Sequence, residues 1–374
     1  MNILCFSDIN WDFPWSRNQQ MMTRFPDHWK IIYVQPSFIR LLIGKPLRAF
    51  PRHVRKNIIA VSFPIIPFFD RLAIVRKINR FLIVFWARFF VALYNFKDPN
   101  IIIYEPRFSC VIGKIRDCLV CYKVLDDRME FLGIPRWIND NIDFLTDKAD
   151  IIVTSSLRLF DKFKRNREHD IFLVGNGVEV EHFKKARDNI EIPEDMNSLE
   201  KPILGYIGTI GEWFDFKLIE GILLFYPNIS IVLIGPIFPK QKVEIDRLKK
   251  AHSNFFALGK KPYDILPNYI KGFDACIIPF KINKLTLSVN PNKLYEYLAG
   301  GKPVISVALP ELRKYKDIVY LAENHDEFIF QVKTALTSKH DLKKFMKIAE
   351  ENTWDDKAKI VVDLIEKYTR KVCV

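Results

Sequence analysis

Residues 290–306 read "NPNKLYEYLAGGKPVIS", a proline, a lysine, a glutamate and a paired glycine ahead of a short apolar run. Pro291 suits the first turn of a helix, where its missing N–H would have had no acceptor. Lys293 and Glu296, three apart, project from one helix face. Gly300 and Gly301 suit a helix end, because glycine enters left-handed backbone freely, and "KPVIS" then reads as a buried strand. A helix start with free N–H groups and a lysine beside it seats a phosphate, and a carboxylate one turn on accepts hydrogen bonds from sugar hydroxyls. The segment therefore suits a nucleotide sugar. It also reads as an ordinary amphipathic helix with one surface ion pair.

Outward from this segment, short β-rich runs alternate with helical stretches. "NILCFS", "WKIIYVQP", "NIIIYEP", "LVCYKVLDD", "ADIIVTSS" and "DIFLVGNG" form one series; "PILGYIG", "ISIVLIGP", "NFFALG", "ACIIPF" and "KPVIS" form a second. Such alternation predicts parallel sheets covered on both faces. The fold class is α/β, with two doubly wound, Rossmann-like domains facing a cleft. The boundaries fall at 1–185 for the first domain, 186–201 for a polar linker, 202–350 for the second domain and 351–374 for a terminal helix. At 374 residues two domains are the default.

Fifty-seven basic against 44 acidic residues give a net charge of +13, which implies an anionic partner. From Ser37 to Lys97 the chain is dense in Arg and Lys interleaved with Phe, Ile and Leu, and carries one acid, Asp70. That is the composition of a membrane-surface segment, with Arg40, Arg48, Arg76, Lys77, Arg80 and Arg88 as the residues that would meet anionic lipid. A domain core with basic outer faces explains the apolar residues but not the scarcity of acids. The longest apolar run, Phe81 to Asn95, contains Arg88 and is shorter than the roughly 20 residues a spanning helix needs. The N-terminal "MNILCFSDINW" has no basic region leading into a long apolar one, so no signal peptide is expected. Six scattered cysteines read as buried reduced thiols, which suits a cytoplasmic protein at the inner membrane face. No nucleic-acid reading motif is present, and nucleic acid is not an expected partner.

"GYIGTIGEWFDF" sets Gly205, Gly208 and Gly211 just after a strand, where small residues let backbone approach a phosphate. The spacing is not the dinucleotide fingerprint G-x-G-x-x-G, and no P-loop is present. "PILGYIGTIGEWFDF", "ALGKKPYDILPNYIKGFDACIIPFKIN" and "NPNKLYEYLAGGKPVIS", in that order, resemble the donor-binding half of GT-B glycosyltransferases that build bacterial surface polysaccharides. "INWDFPWSRNQQ" and "VGNGVEVEHF" resemble the matching first-half segments, and the teichuronic-acid type is the nearest group.

The resemblance implies transfer of a sugar from a nucleoside-diphosphate sugar, UDP first, to a lipid-linked or polysaccharide acceptor. It implies that Glu296 binds the ribose hydroxyls, and that Lys293 with the loop Thr286, Ser288, Val289 and Asn290 holds the diphosphate. Gly208 and Thr209 would lie against the phosphates. Backbone around Lys261, Pro262 and Tyr263 would meet the nucleobase, and Leu294 belongs to the same donor set. The last helix would cross back to the first domain. Many retaining members carry a second glutamate eight positions before this one; here that position is Ser288, which leaves the stereochemical course open.

An inverting enzyme needs a general base for the acceptor hydroxyl. "YKVLDDRMEF" ends a strand with Asp127 and Asp126, expected in that order; both could instead cap a helix or pair with Arg128. Paired acids also suit Mg²⁺, but the resemblance implies no metal and no cofactor. Lys281, Lys284 and Lys293 would then stabilise the leaving diphosphate. Trp11, Asp12, Trp15 and Arg17 suit a sugar or diphosphate acceptor, although two Trp in a loop also read as satellite core. Two rival readings are a nucleotide-sugar 2-epimerase on the same fold and a non-catalytic basic lipid- or nucleic-acid-binding module.

Overall fold

The computed structural model describes residues 1–12, 15–36, 49–66, 71–130 and 134–372. The chain divides into two compact units, Met1–Gly175 with Asp355–Val374, and Asn176–Trp354. The first unit carries strands β1 (Asn2–Phe6), β2 (Lys30–Gln35), β3 (Arg52–Arg55), β4 (Ile58–Ser62), β5 (Asn100–Ile103), β6 (Leu119–Val124), β7 (Ile151–Thr154) and β8 (Ile171–Leu173). They form one sheet in the order β3-β4-β2-β1-β5-β6-β7-β8. Its neighbours pair in parallel except β3 with β4. β5 and β7 are buried along their whole length, as strands covered on both faces must be.

The second unit carries β9 (Ile203–Ile207), β10 (Ser230–Ile234), β11 (Phe255–Gly259), β12 (Ala275–Ile278), β13 (Val304–Val307) and β14 (Tyr320–Ala322), ordered β11-β10-β9-β12-β13-β14. Here all pairs are parallel. In each sheet the chain starts in the middle, builds outward on one side, then returns to build on the other. The strand order therefore reverses between β1 and β5 and between β9 and β12. Loops leaving the carboxyl ends of such strands diverge and open a crevice, which is where ligands bind in open α/β sheets.

Three expectations are corrected. Residues 186–201 are not a free linker. Ala186 and Met196 are buried in the second unit's core, Asp195 accepts from Lys261 Nζ at 2.6 Å, and Lys271 Nζ donates to the Asp188 carbonyl at 2.7 Å. The polar surface of this stretch hid a strap anchored by two apolar residues, so the second unit begins at Asn176 rather than after Lys201.

The basic segment is not a single membrane-surface element either. Residues 52–62 form the β3–β4 hairpin, whose edge strand alternates half-buried and exposed residues. Charged edge strands are a usual means of discouraging edge-to-edge pairing, and that explains part of the basic density. Arg40 and Arg48 lie outside the described residues. Among those described, no helix is long and apolar enough to cross a membrane.

Cys118 is disulfide-bonded, against its reading as a reduced thiol, whereas Cys5, Cys110, Cys121 and Cys276 are free.

The helix Trp354–Val372 belongs, from Asp355 onward, to the first unit. Tyr368 Oη donates to Asp170 at 2.5 Å, its ring lies edge-on to Phe172, and Thr369 Oγ1 meets the Asn100 side chain at 2.9 Å.

Candidate functional site

The donor-side residues gather at the carboxyl ends of β9, β10 and β12. Gly208 follows β9 with φ +154°, Gly235 follows β10 with φ +144°, and both turns are held by backbone bonds, Gly208 N–H to Ile234 and Gly235 N–H to Gly259. A Cβ on Gly208 would lie 2.1 Å from Lys293 Cε and 2.6 Å from Nζ; one on Gly235 would lie 2.0 Å from the Gly208 carbonyl oxygen. Two bare backbones thus make the space into which Lys293 extends. Its ammonium sits over the rings of Tyr206 and Phe280, 5.5 and 6.0 Å from their centroids.

Lys293 and Glu296 stand on the helix Asn292–Ala299, whose N-cap is Pro291 and whose first turn receives no side-chain cap. Pro291 is thus one position earlier in the helix than its sequence suggested. Of the two glycines that end it, only Gly301 is left-handed, at φ +75°. The leading N–H groups of such a helix have no intrahelical acceptor, and they open beside Lys293. Burial lowers the pKa of Lys293, with the charge of Glu296 partly restoring it; burial raises Glu296 to about 7, against Lys293 and the Asn292 amide, which donates to Oε1 at 2.6 Å. Both groups are half-buried and strained toward their neutral forms.

Several residues of the expected donor set play supporting parts. Thr286 and Ser288 are fully buried; Thr286 Oγ1 donates to the Lys281 carbonyl at 2.5 Å and Ser288 Oγ points back to Lys284. These hydroxyls shape the loop rather than face a ligand. Leu294 is fully buried in the core. Asn290 is buried and its carbonyl accepts from Asn176, while Val289 packs half-buried against the core. Lys261 is ion-paired with Asp195. Tyr263 stacks on His182 with ring centroids 4.4 Å apart, its carbonyl meets His182 Nε2 at 3.1 Å, and its hydroxyl donates to Glu179. The 261–263 segment is therefore clamped through the side chains of Lys261 and Tyr263. Lys281 Nζ donates to the Glu212 carbonyl at 3.2 Å, and Thr209 stands half-buried beside Gly208. The sequence reading missed Gly235, although "LIGP" carries the same signal as Gly208, a glycine directly after a strand. It also missed Asn292.

In the first unit the carboxyl ends of β1, β5 and β6 bring Asp8, Glu105, Asp126 and Asp127 near one another. Arg128 donates to Glu105 Oε2 at 2.6 Å and to Asp8 Oδ2 at 2.9 Å. Asp127 is buried, and Lys162 Nζ reaches both of its oxygens, at 2.7 and 2.9 Å. Asp126 is half-buried, and burial together with the Asp8 carboxylate raises its pKa against the pull of Arg128 and Arg17. Asp127 is thus held in an ion pair with Lys162, whereas Asp126 is half-buried with its pKa raised. Lys162 and Glu105 escaped the sequence reading because only tertiary structure brings them to this loop.

Of the other first-unit candidates, Trp11 is buried with its ring edge-on to Tyr33 and Trp15, so it is core. Asp12 pairs with Arg52, and Trp15 is half-buried. Arg17 is buried and donates to the Val174 carbonyl at 2.7 Å; burial lowers its pKa to about 10. Among the described residues no group of three or more His, Cys, Asp or Glu side chains is placed to hold a metal ion.

No family model matches the chain. Superposed on sucrose-phosphate synthase from Thermosynechococcus elongatus, it gives a TM-score of 0.75 over 98% of each chain at 13% identity. The chain has the GT-B fold. Two further GT-B structures agree: the E. coli trehalose-6-phosphate protein bound with UDP-2-fluoro glucose, TM-score 0.70 at 11% identity over 97% of this chain and 99% of the other, and Anabaena HepE in complex with UDP and glucose, TM-score 0.68 at 12% identity over 98% and 100%. In sequence, the chain is 31% identical over 182 residues to TuaH of Bacillus subtilis (strain 168), whose name describes a teichuronic acid biosynthesis glycosyltransferase. That match spans 47% of this chain and 45% of TuaH, less than half of either. The expected α/β architecture of two Rossmann-like domains is the one observed.

Proposed function

We propose that the protein is a glycosyltransferase that moves a sugar from a nucleoside-diphosphate donor, UDP first, to a lipid-linked or polysaccharide acceptor at the cytoplasmic membrane face. The observation that carries this is Lys293 lying in the space left by Gly208, with Glu296 on the same helix face. A diphosphate placed there meets the uncapped helix start and the ammonium, and Glu296 accepts from ribose hydroxyls. The two GT-B relatives solved with UDP compounds support uridine, and the likeness to TuaH supports a surface-polysaccharide acceptor.

In the transfer step negative charge grows on the leaving diphosphate as the sugar–phosphate bond breaks. Fixed helix N–H groups and Lys293 stabilise that charge without reorganising. Proton removal from the acceptor hydroxyl falls to Asp126, whose raised pKa suits a base better than an ordinary carboxylate. Arg128, fixed between Asp8 and Glu105, positions the loop that bears it. No metal or cofactor is part of this proposal. Arg76, Lys77, Arg80 and Arg88 would dock the enzyme on anionic lipid.

Calorimetric titration of UDP and GDP into the wild type and Glu296→Ala tests the donor site. UDP should bind the wild type and lose most of its affinity in the variant. If neither nucleotide binds the folded protein, only the fold is shared with the GT-B enzymes and the donor reading fails.

A further inference from the structure

The helix Ala73–Leu93 has two apolar faces where a surface helix needs one. Asn79, Ile83, Ala87 and Phe90 are its buried face. Phe90 stacks on Phe63 with centroids 5.9 Å apart, and Asn79 holds Ile66 through both its amide oxygen and nitrogen. That face fixes the helix to the first unit. At 100° per residue, Ile74, Ile78, Phe81, Phe85, Phe89 and Leu93 form a second stripe, centred roughly 140° from the first. All six are exposed, Phe81 by 70% and Ile74 by 63%.

Scattered exposed apolar residues are ordinary, but a continuous stripe along a helix about 32 Å long marks an interaction surface. Its chemistry identifies the partner. Lys77, Arg80 and Arg88 line one edge between the two faces, and the helix contains no acid. At its C-terminal end, beside Arg88 and Ala92, lies a cleft of about 520 Å³ whose charged lining is Arg88, Lys97, Lys114 and Arg116 against Asp98 alone. A protein partner would meet this stripe with no need for one-sided positive charge. A bilayer with anionic headgroups uses both, taking rings and aliphatic chains into the acyl boundary while Lys and Arg extend to phosphates.

We infer that Ala73–Leu93 lies flat in the interface of an anionic bilayer with the Ile74–Leu93 stripe inserted, so that apolar insertion rather than charge alone holds the protein there. This rests on the proposed membrane docking and changes what carries it.

The test is co-sedimentation with vesicles of phosphatidylglycerol and phosphatidylcholine against phosphatidylcholine alone, at low and high salt. The wild type should bind the anionic vesicles and stay largely bound in high salt. Phe81→Ser with Phe85→Ser should weaken binding by at least about tenfold, whereas Lys77→Gln with Arg80→Gln should lose less and leave a residual binding that salt barely changes. Both pairs are exposed, so UDP titration of each variant should match the wild type and report on the donor reading separately.

If the Phe pair binds like the wild type and salt releases both, docking is electrostatic and insertion is overturned while the docking proposal stands. If the folded protein binds no vesicle, both fall. A solution dimer that the Phe pair dissociates would assign the stripe to a second copy and overturn the inference.

Discussion

Lys293 occupies the place where residue 208 would carry a side chain: its Cε lies 2.1 Å from a Cβ built on Gly208. The glycine follows β9 and the lysine stands on the helix Asn292–Ala299, 85 positions apart in the chain, and each has a local role that does not imply the other. Together they set one positive charge against a bare backbone wall.

Gly208→Ala should therefore act through Lys293. The new methyl displaces the lysine stem and is itself strained at positive φ. UDP affinity should fall by about tenfold or more, near 1.4 kcal/mol, with Lys293→Met causing a similar loss. The double variant should lose little beyond either single one, because both remove one contact. Fully additive losses in a titration series would show that the two residues act independently.

Glu296 supplies a pH signature. Burial lifts its pKa from 4.5 to about 7 in the folded protein, so the folded state binds the proton more tightly than the unfolded one. The neutral group's contribution to stability is complete below about pH 4.5 and is lost as pH rises through about 7. Glu296→Gln should melt with the wild type near pH 5 and above it at pH 8. UDP affinity of the wild type should rise across the same interval as the carboxylate forms, while the variant binds weakly at every pH. Scanning calorimetry and titration at matched pH values read both.

The two aspartates should separate cleanly. Asp126→Asn should reduce donor turnover in the presence of acceptor by about 100-fold or more and leave the melting temperature near that of the wild type. Asp127→Asn weakens an ion pair between a buried carboxylate and a half-exposed lysine, Lys162, and should lower stability by about 1 kcal/mol. Turnover lost only in the Asp127 variant, once stability is matched, would restore Asp127 as the base.

Lys123 is fully buried on β6, lies over the Tyr104 ring, and its Nζ has no hydrogen-bond acceptor among the described residues. Burial, with the Arg17 charge, lowers its pKa to about 7. A base with a lowered folded pKa costs stability as pH falls through that value. Lys123→Met should raise the melting temperature, with a wider margin at pH 6 than at pH 9. Equal margins at both would mean that the ammonium has partners.

The parallel sheets were legible because β5 and β12 are short, wholly buried apolar runs with polar residues at their ends. The β3–β4 hairpin was not. Its edge strand, "RHVR", alternates charge with a single valine, and basic composition outweighed the period of two. The strap at 186–201 was misread for the converse reason: two buried apolar residues, Ala186 and Met196, fasten a stretch whose composition is that of a linker.

Sequence by itself determined the two-unit α/β architecture, the glycine turn after β9, and a helix bearing Lys293 and Glu296 on one face, because these follow from local periodicity and backbone freedom. Tertiary structure decided which polar groups remain available. Thr286 and Ser288 turn inward, Lys162 claims Asp127, Trp11 enters the core, and the Ile74–Leu93 stripe stays uncovered. Burial and ion pairing depend on residues distant in the chain, and no local pattern records which neighbour a side chain will meet.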